Sequence, residues 1–239
     1  MTGIATVTEA QWQAVAARRV IFAHQSVGRN ILEGLRALDG GSRLAIAETR
    51  SPTTGPGIFH FAVGRNGDPL GKVSDFASAI DTGAAGDIAL LKLCYVDFSH
   101  GADPLAVAQA YGDTLDNLAA RHPAMTFVAV TVPLTTVQGG AKAFVKKLLG
   151  REPTGFTENA RRQVFNDALR SRSHSGRPLF DLATIEAGDC RSSYGGQSIQ
   201  YLDPDLTSDG GHLNEQGARR AAAALVAFLA DLDAASGAR

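Results

Sequence analysis

Cysteine is scarce. Cys94 and Cys190 are the two in 239 residues, and they lie far apart along the chain. Such a pair makes neither a disulfide framework nor a cysteine-based metal site. The six histidines also lack short ligand spacing, so no metal is inferred. No apolar run approaches the roughly 20 residues that cross a bilayer. The N-terminal stretch MTGIATVTEAQWQAVAARRVIF lacks a basic region followed by a long apolar segment, so as written the chain is expected in the cytoplasm. An excess of one charge sign is missing too. The formal net charge is -1, which gives no general attraction to nucleic acid or to an anionic membrane. Basic residues cluster only as the pairs Lys146–Lys147, Arg161–Arg162 and Arg219–Arg220, each read as a solvated helix face.

What is present is ordinary for a globular chain: 44% hydrophobic and 20% charged residues. The length suits one domain, residues 1–239. Four short apolar runs without alternation read as parallel strands covered on both faces: RVIFA from Arg19, DIALLKLCYV from Asp87, MTFVAVTV from Met125 and PLFDLATI from Pro178. RLAIAET from Arg43 is a fifth. Helical spacing lies between them. Ile31, Leu32, Leu35 and Leu38 share one face, and Leu105, Ala108, Leu115 and Leu118 another. Residues 157–171 present Val164, Ala168 and Leu169 inward, and residues 214–234 present Ala222, Leu225, Val226 and Leu229. Strand–helix alternation implies a three-layer α/β/α fold with a parallel five-stranded sheet. Two stretches, 51–71 and 187–208, read as long loops, and sites in open α/β sheets form where loops leave the carboxyl ends of strands.

Two blocks carry chemistry. In FAHQSVGRNILEGL, from Phe22, an apolar strand ends on His24, Gln25 and Ser26, with Gly28 just after. On this block alone Ser26 is either a helix cap or a nucleophile on a strand–helix turn. In SDGGHLNEQG, from Ser208, Asp209 and His212 stand three apart, directly before a helix that Asn214 would cap. A histidine base needs an acid that fixes its tautomer and stabilises the imidazolium. That need is greater beside a positive helix end.

Together the blocks resemble the SGNH, or GDSL-type, hydrolase superfamily, over most of the chain. The resemblance implies a flavodoxin-like fold with strand order 2-1-3-4-5. It implies Ser26 as nucleophile, His212 as general base and then acid, and Asp209 as its orienting partner. No cofactor is implied. The oxyanion hole would comprise the Ser26 N–H, a glycine N–H after the second strand, and an Asn side chain after the third. Gly67 in VGRNGDP matches that glycine, with Gly64 as the alternative. No Asn follows the third strand. Asp97 matches the family's terminal Asp and leaves Val96 in the Asn position, so Asn66, Tyr95 or Lys92 would supply the donor, Asn66 first. His24 and Gln25 depart from the family's Gly-Asp, and His24 is read as site-shaping rather than as the base. Lys92 either pairs with Asp97 or Asp68 or packs its stem with the ammonium in water. His60 and His100 read as loop histidines, and Cys94 as core.

The activity implied is a serine esterase working through an acyl-enzyme. The loops carry Arg65, Asn66, Asp68, Arg191 and Tyr194 but few large apolar residues. A short acyl group on a polar or carbohydrate alcohol is therefore expected. KAFVKKLLG from Lys142 could instead be a lid over a lipid site. Alternatives are a lipid esterase, thioesterase or acyltransferase on the same fold, a non-catalytic binding domain, and a flavodoxin-like cofactor protein. HQSVGRN is too poor in hydroxyls and glycines for the last. The sequence carries no reading of oligomeric state.

Overall fold

The computed structural model describes residues 5–52, 55–99, 101–141, 146 and 148–236. Helix α1 is Glu9–Ala16. Strand β1, Arg19–His24, leads into α2, Ser26–Ala37. Then follow β2 (Ile46–Glu48), β3 (Gly57–Ala62), α3 (Pro69–Asp81), β4 (Ile88–Leu91), α4 (Pro104–Arg121), β5 (Thr126–Val130) and α5 (Phe156–Ser173). The remainder is β6 (Leu179–Phe180), α6 (Leu182–Ala187), a hairpin of β7 (Arg191–Tyr194) and β8 (Gln197–Gln200), and α7 (Glu215–Ser236). No helix among the described residues is long and apolar enough to cross a membrane.

The main sheet is parallel and has six strands, in the order β2-β3-β1-β4-β5-β6. The strand absent from the sequence reading is β3, which lies inside the stretch read as a loop. Glycines and a proline just before it, and a Gly-rich turn just after, hid GIFHFA. Yet Ile58 and Phe61 are buried, and β3 pairs with all of β1, from Arg19↔Gly57 to His24↔Ala62. With β3 in second place, β3-β1-β4-β5-β6 is the 2-1-3-4-5 order, and β2 is added at the edge.

Other boundaries moved for local reasons. Of DIALLKLCYV only Ile88–Leu91 is strand, and Tyr95–Phe98 turns as a short 3-10 helix. PLFDLATI breaks at Asp181, whose side chain accepts from Thr184 N and caps α6. The second loop contains the β7–β8 hairpin, which packs on α5, where Tyr194 and Thr157 hydroxyls meet at 3.1 Å. The sequence reading missed α3, although Asp68 caps it and Pro69 opens it. Val164 and Leu105, expected inward, are exposed. The proposed lid from Lys142 lies largely outside the described residues, as does His100.

Alternation along β1 feeds two cores. Val20 and Phe22 face α1, α2, α6 and α7, packing with Ile31, Leu35, Leu90, Val130 and Leu225. Ile21 and Ala23 face α3, α4 and α5, packing with Phe76, Leu91, Tyr111 and Phe165. Burial of both sheet faces explains why the strands read as continuous apolar runs.

Helix α2 packs closely on α7. A Cβ built on Gly34 would lie 2.2 Å from the backbone oxygen of Ala218, so glycine is required there by contact, not by backbone angle. Gly34→Ala gains helix propensity but forces two backbones apart. We expect a net loss of roughly 1–3 kcal/mol, read as a lowered urea midpoint with an unchanged slope. An unchanged midpoint would show that the helices can separate freely.

Candidate active site

Ser26 opens α2 at the carboxyl end of β1. Its own N–H lies in the first helical turn, where amides lack intrahelical acceptors and carry the positive end of the helix dipole. The preceding residues hold this turn in place. Gln25 Nε2 donates to the carbonyls of Val63 (2.6 Å) and Gly64 (3.1 Å), tying it to the exit of β3. The His24 ring folds back beneath α2. A Cβ on Gly28 would meet it at 2.4 Å, so Gly28 serves close packing, as its position suggested.

Both ring nitrogens of His24 are already engaged. Its Nδ1–H donates to Gln25 O at 2.9 Å, which leaves Nε2 to accept from His60 Nδ1 at 3.2 Å. Both histidines are buried. His60 is thus a strand residue in the core, not a solvated loop histidine. Burial pushes the His24 imidazole down to about 3 and lowers that of His60 as well.

The loops after β3 and β4 meet at Asp97, which is buried. Its carboxylate accepts from Lys72 Nζ (2.8 Å to each oxygen), Gly67 N (2.8 Å) and Cys94 N (2.7 Å). The buried ion pair is therefore Lys72–Asp97, and neither Asp97 nor Asp68 pairs with Lys92. Lys92 is fully buried and donates only to Leu93 O, at 3.1 Å. Burial pushes its ammonium below the usual lysine range. It touches no solvent, so it is neither a solvated stem nor an oxyanion donor.

Gly67 needs correction as well. Its N–H is already given to Asp97, and the N–H of Gly64 is given to Asp75 at 2.8 Å. Neither is free for an oxyanion. Asn66 is exposed, and its Oδ1 accepts from Lys72 Nζ at 2.9 Å. Because lysine can only donate, that bond orients the amide and leaves Nδ2 as the available donor.

Across the same end of the sheet lies the Asp209–His212 turn. Asp209 Oδ1 accepts from Gly211 N (2.9 Å) and His212 N (2.7 Å), while Oδ2 accepts from His212 Nδ1 (2.7 Å). These bonds hold the Asp209 carboxyl far below the usual range. They also fix the tautomer that leaves His212 Nε2 with its lone pair. Asn214 Oδ1 accepts from Gly217 N at 3.0 Å, the expected cap of α7. Tyr95, following β4, stands against this turn, with its hydroxyl 3.4 Å from Nε2 and its ring edge-on to the imidazole.

Ser26 and His212 therefore flank the carboxyl end of the adjacent strands β1 and β4. No hydrogen bond joins them.

A cavity of about 310 Å³ adjoins the turn. Tyr95, Ser99, Thr135, Thr136, Arg162 and Gly211 are among the residues lining it. Arg162, expected on a solvated face, is buried at 2% exposure. Its neighbour Arg161 donates to the carbonyls of Phe98 and Ala102.

Several solved structures share this architecture. A GDSL-like lipase from Bacteroides thetaiotaomicron is similar over 98% of this chain and 93% of its own, at TM-score 0.53 and 8% identity. The fold is that of the GDSL-type, or SGNH, hydrolases. A protein from Streptococcus pneumonia whose structure is described as that of a platelet activating factor matches over 92% and 91% of the two chains, at TM-score 0.52 and 14% identity. A salicylyl-acyltransferase from a tetracycline biosynthetic pathway covers 91% of this chain with 55% of its own, at TM-score 0.51 and 16% identity. No protein-family model and no curated protein matches the chain. On the GDSL-type fold, the sequence blocks at Ser26 and at Asp209–His212 fall at the ends of β1 and before the last helix.

The buried histidines set a pH dependence. The folded state holds His24 neutral down to about pH 3, whereas an unfolded histidine takes its proton near pH 6.5. The unfolded chain thus binds more protons between those values. Stability is fully present above about pH 6.5 and falls below it by about 1.4 kcal/mol per pH unit for His24, and the lowering of His60 acts in the same direction. Urea titrations from pH 8 to 4 should show this decline, and His24→Gln should flatten it. A variant with the wild-type slope would place the acid sensitivity elsewhere.

Proposed function

We propose that the protein is a serine esterase that works through an acyl-enzyme, with Ser26 as nucleophile, His212 as general base and acid, and Asp209 orienting it. The observation that carries this reading is the 2.7 Å bond from His212 Nδ1 to Asp209, which leaves the lone pair of Nε2 available as a base. Ser26 Oγ attacks the ester carbonyl while Nε2 takes its proton. The oxyanion is received by the Ser26 N–H at the start of α2, since the Gly28 N–H is given to Gln25 O at 2.8 Å, with Asn66 Nδ2 as the side-chain donor. Nε2 then protonates the leaving alcohol, and water activated by the same nitrogen releases the acid. The GDSL-type fold supports the reading, and the polar lining of the adjoining cavity favours a polar alcohol. The acyltransferase neighbour keeps transfer to an alcohol as a second reading.

Ser26→Ala and His212→Ala should each lower 4-nitrophenyl acetate turnover by several orders of magnitude, as triad knockouts of about a million-fold do elsewhere. His24→Gln should retain a measurable share. Full activity in Ser26→Ala would sink the assignment, and the reverse histidine pattern would move the base.

The acyl group is expected to be short, acetyl above all. Comparing 4-nitrophenyl acetate with 4-nitrophenyl decanoate tests this. A clear preference for decanoate would point to an apolar groove instead.

A further inference from the structure

Arg162, on α5, lines the cavity beside the Asp209–His212 turn and is only 2% exposed. Its guanidinium is held by Nε to Tyr95 O (3.0 Å) and by Nη1 to Thr135 Oγ1 and Asn159 Oδ1 (2.7 Å each). All three acceptors are neutral oxygens. Nη2 has no hydrogen-bond partner among the described residues, and no carboxylate among them forms an ion pair with the group, although Glu158 and Glu186 lend it favourable charge and the guanidinium stands 5.7 Å from the centroid of the Tyr95 ring. Lys92, fully buried, also lacks a carboxylate partner among the described residues but does not line the cavity, whereas two other covered cations are paired. Lys72 has Asp97, and Arg170 has Asp167 and Asp181. A buried cation without a counter-ion is costly, and a planar guanidinium suits a carboxylate.

The carboxylates that line the same cavity are already engaged. Glu158 Oε2 accepts from Gly155 N at 3.0 Å, and Asp209 is held by its own turn and His212. Their charge counts against an anion, but their bonding leaves the guanidinium as the group still lacking a partner. Burial lowers Arg162 to about 10, so it remains cationic at neutral pH.

We propose that this cavity is the site for the alcohol half of the ester, and that it selects an alcohol bearing a carboxylate, which Arg162 Nη2 receives. The placement rests on the esterase reading. His212 protonates the leaving oxygen, so that oxygen must reach Nε2. Tyr95, whose hydroxyl lies 3.4 Å from Nε2, is also a wall of the cavity. Whatever is attached to the leaving oxygen is thus led toward Arg162. The cavity volume, about 310 Å³, admits an alcohol of monosaccharide size, such as a sugar acid.

The test uses wild-type protein and three matched ligands: glucuronate, glucuronamide and glucose. Each is assayed by calorimetry and as a competitor of 4-nitrophenyl acetate hydrolysis. Glucuronate should act at a concentration at least about tenfold lower than the two neutral sugars, with an advantage that shrinks as salt is added. Arg162→Gln should erase the preference, with a thermal melt to confirm folding. If that variant does not fold, the ligand series on wild type decides alone. Equal action of the three sugars, or no binding by any of them, overturns the proposal. Absence of 4-nitrophenyl acetate hydrolysis in wild type would instead strike the esterase reading, and calorimetry would still decide the carboxylate preference.

Discussion

One buried carboxylate holds together the loops that frame the candidate site. Asp97 follows β4, yet it fixes the loop after β3 through Gly67 and α3 through Lys72, and it closes its own turn through Cys94. A charge removed from water this completely survives only when paired and fully hydrogen-bonded. Asp97 meets that condition with one cation and two backbone amides. Breaking such a pair by removing one partner typically costs about 3–5 kcal/mol, because the remaining charge is left uncompensated. The loop carrying Asn66 is therefore held by an interaction whose geometry is strongly determined, and Lys72 reaches Asn66 as well as Asp97.

That arrangement uses up the glycine amide expected at the oxyanion hole. With Gly67 N given to Asp97 and Gly64 N to Asp75, donors must come from the Ser26 N–H at the start of α2 and from the Asn66 side chain. The departures around the nucleophile fit the same picture. Gln25 ties the start of α2 to the β3 exit, and His24 fills the space beneath Gly28. The substituted residues brace the turn that presents Ser26, while Asp209 and His212 stand on their own turn before α7.

The sequence was legible where interacting residues are close in the chain. Asp209 and His212 lie three apart because one turn must hold both, and the apolar runs of β1, β4 and β5 follow from burial on both sheet faces. It was illegible where partners are distant. Lys72 meets Asp97 across 25 positions and Arg162 meets Tyr95 across 67, and each reads locally as one more polar residue on an amphipathic helix. A signal did exist for Lys72, which shares the buried face of α3 with Val73 and Phe76. β3 was hidden by its flanks: Gly and Pro mark turns, and His60 inside a strand looks like a loop residue until its partner His24 is known.

The buried ionisable groups near this end of the sheet meet the cost of desolvation in different ways. Lys72 and Asp97 neutralise each other. His24 and His60 stay uncharged. Glu186, with Oε1 unpartnered, is pushed up to about 8, and Lys92 is pushed downward, so each moves toward its neutral form. Arg162 has none of these routes. An arginine lowered to about 10 keeps its charge at neutral pH, and its bonds reach only neutral oxygens. The protein tolerates this cation at the wall of a cavity beside His212, where a ligand can supply the missing anion. Its place on the cavity wall, with Nη2 unbonded among the described residues, sets it apart from the buried Lys92, which lines no cavity.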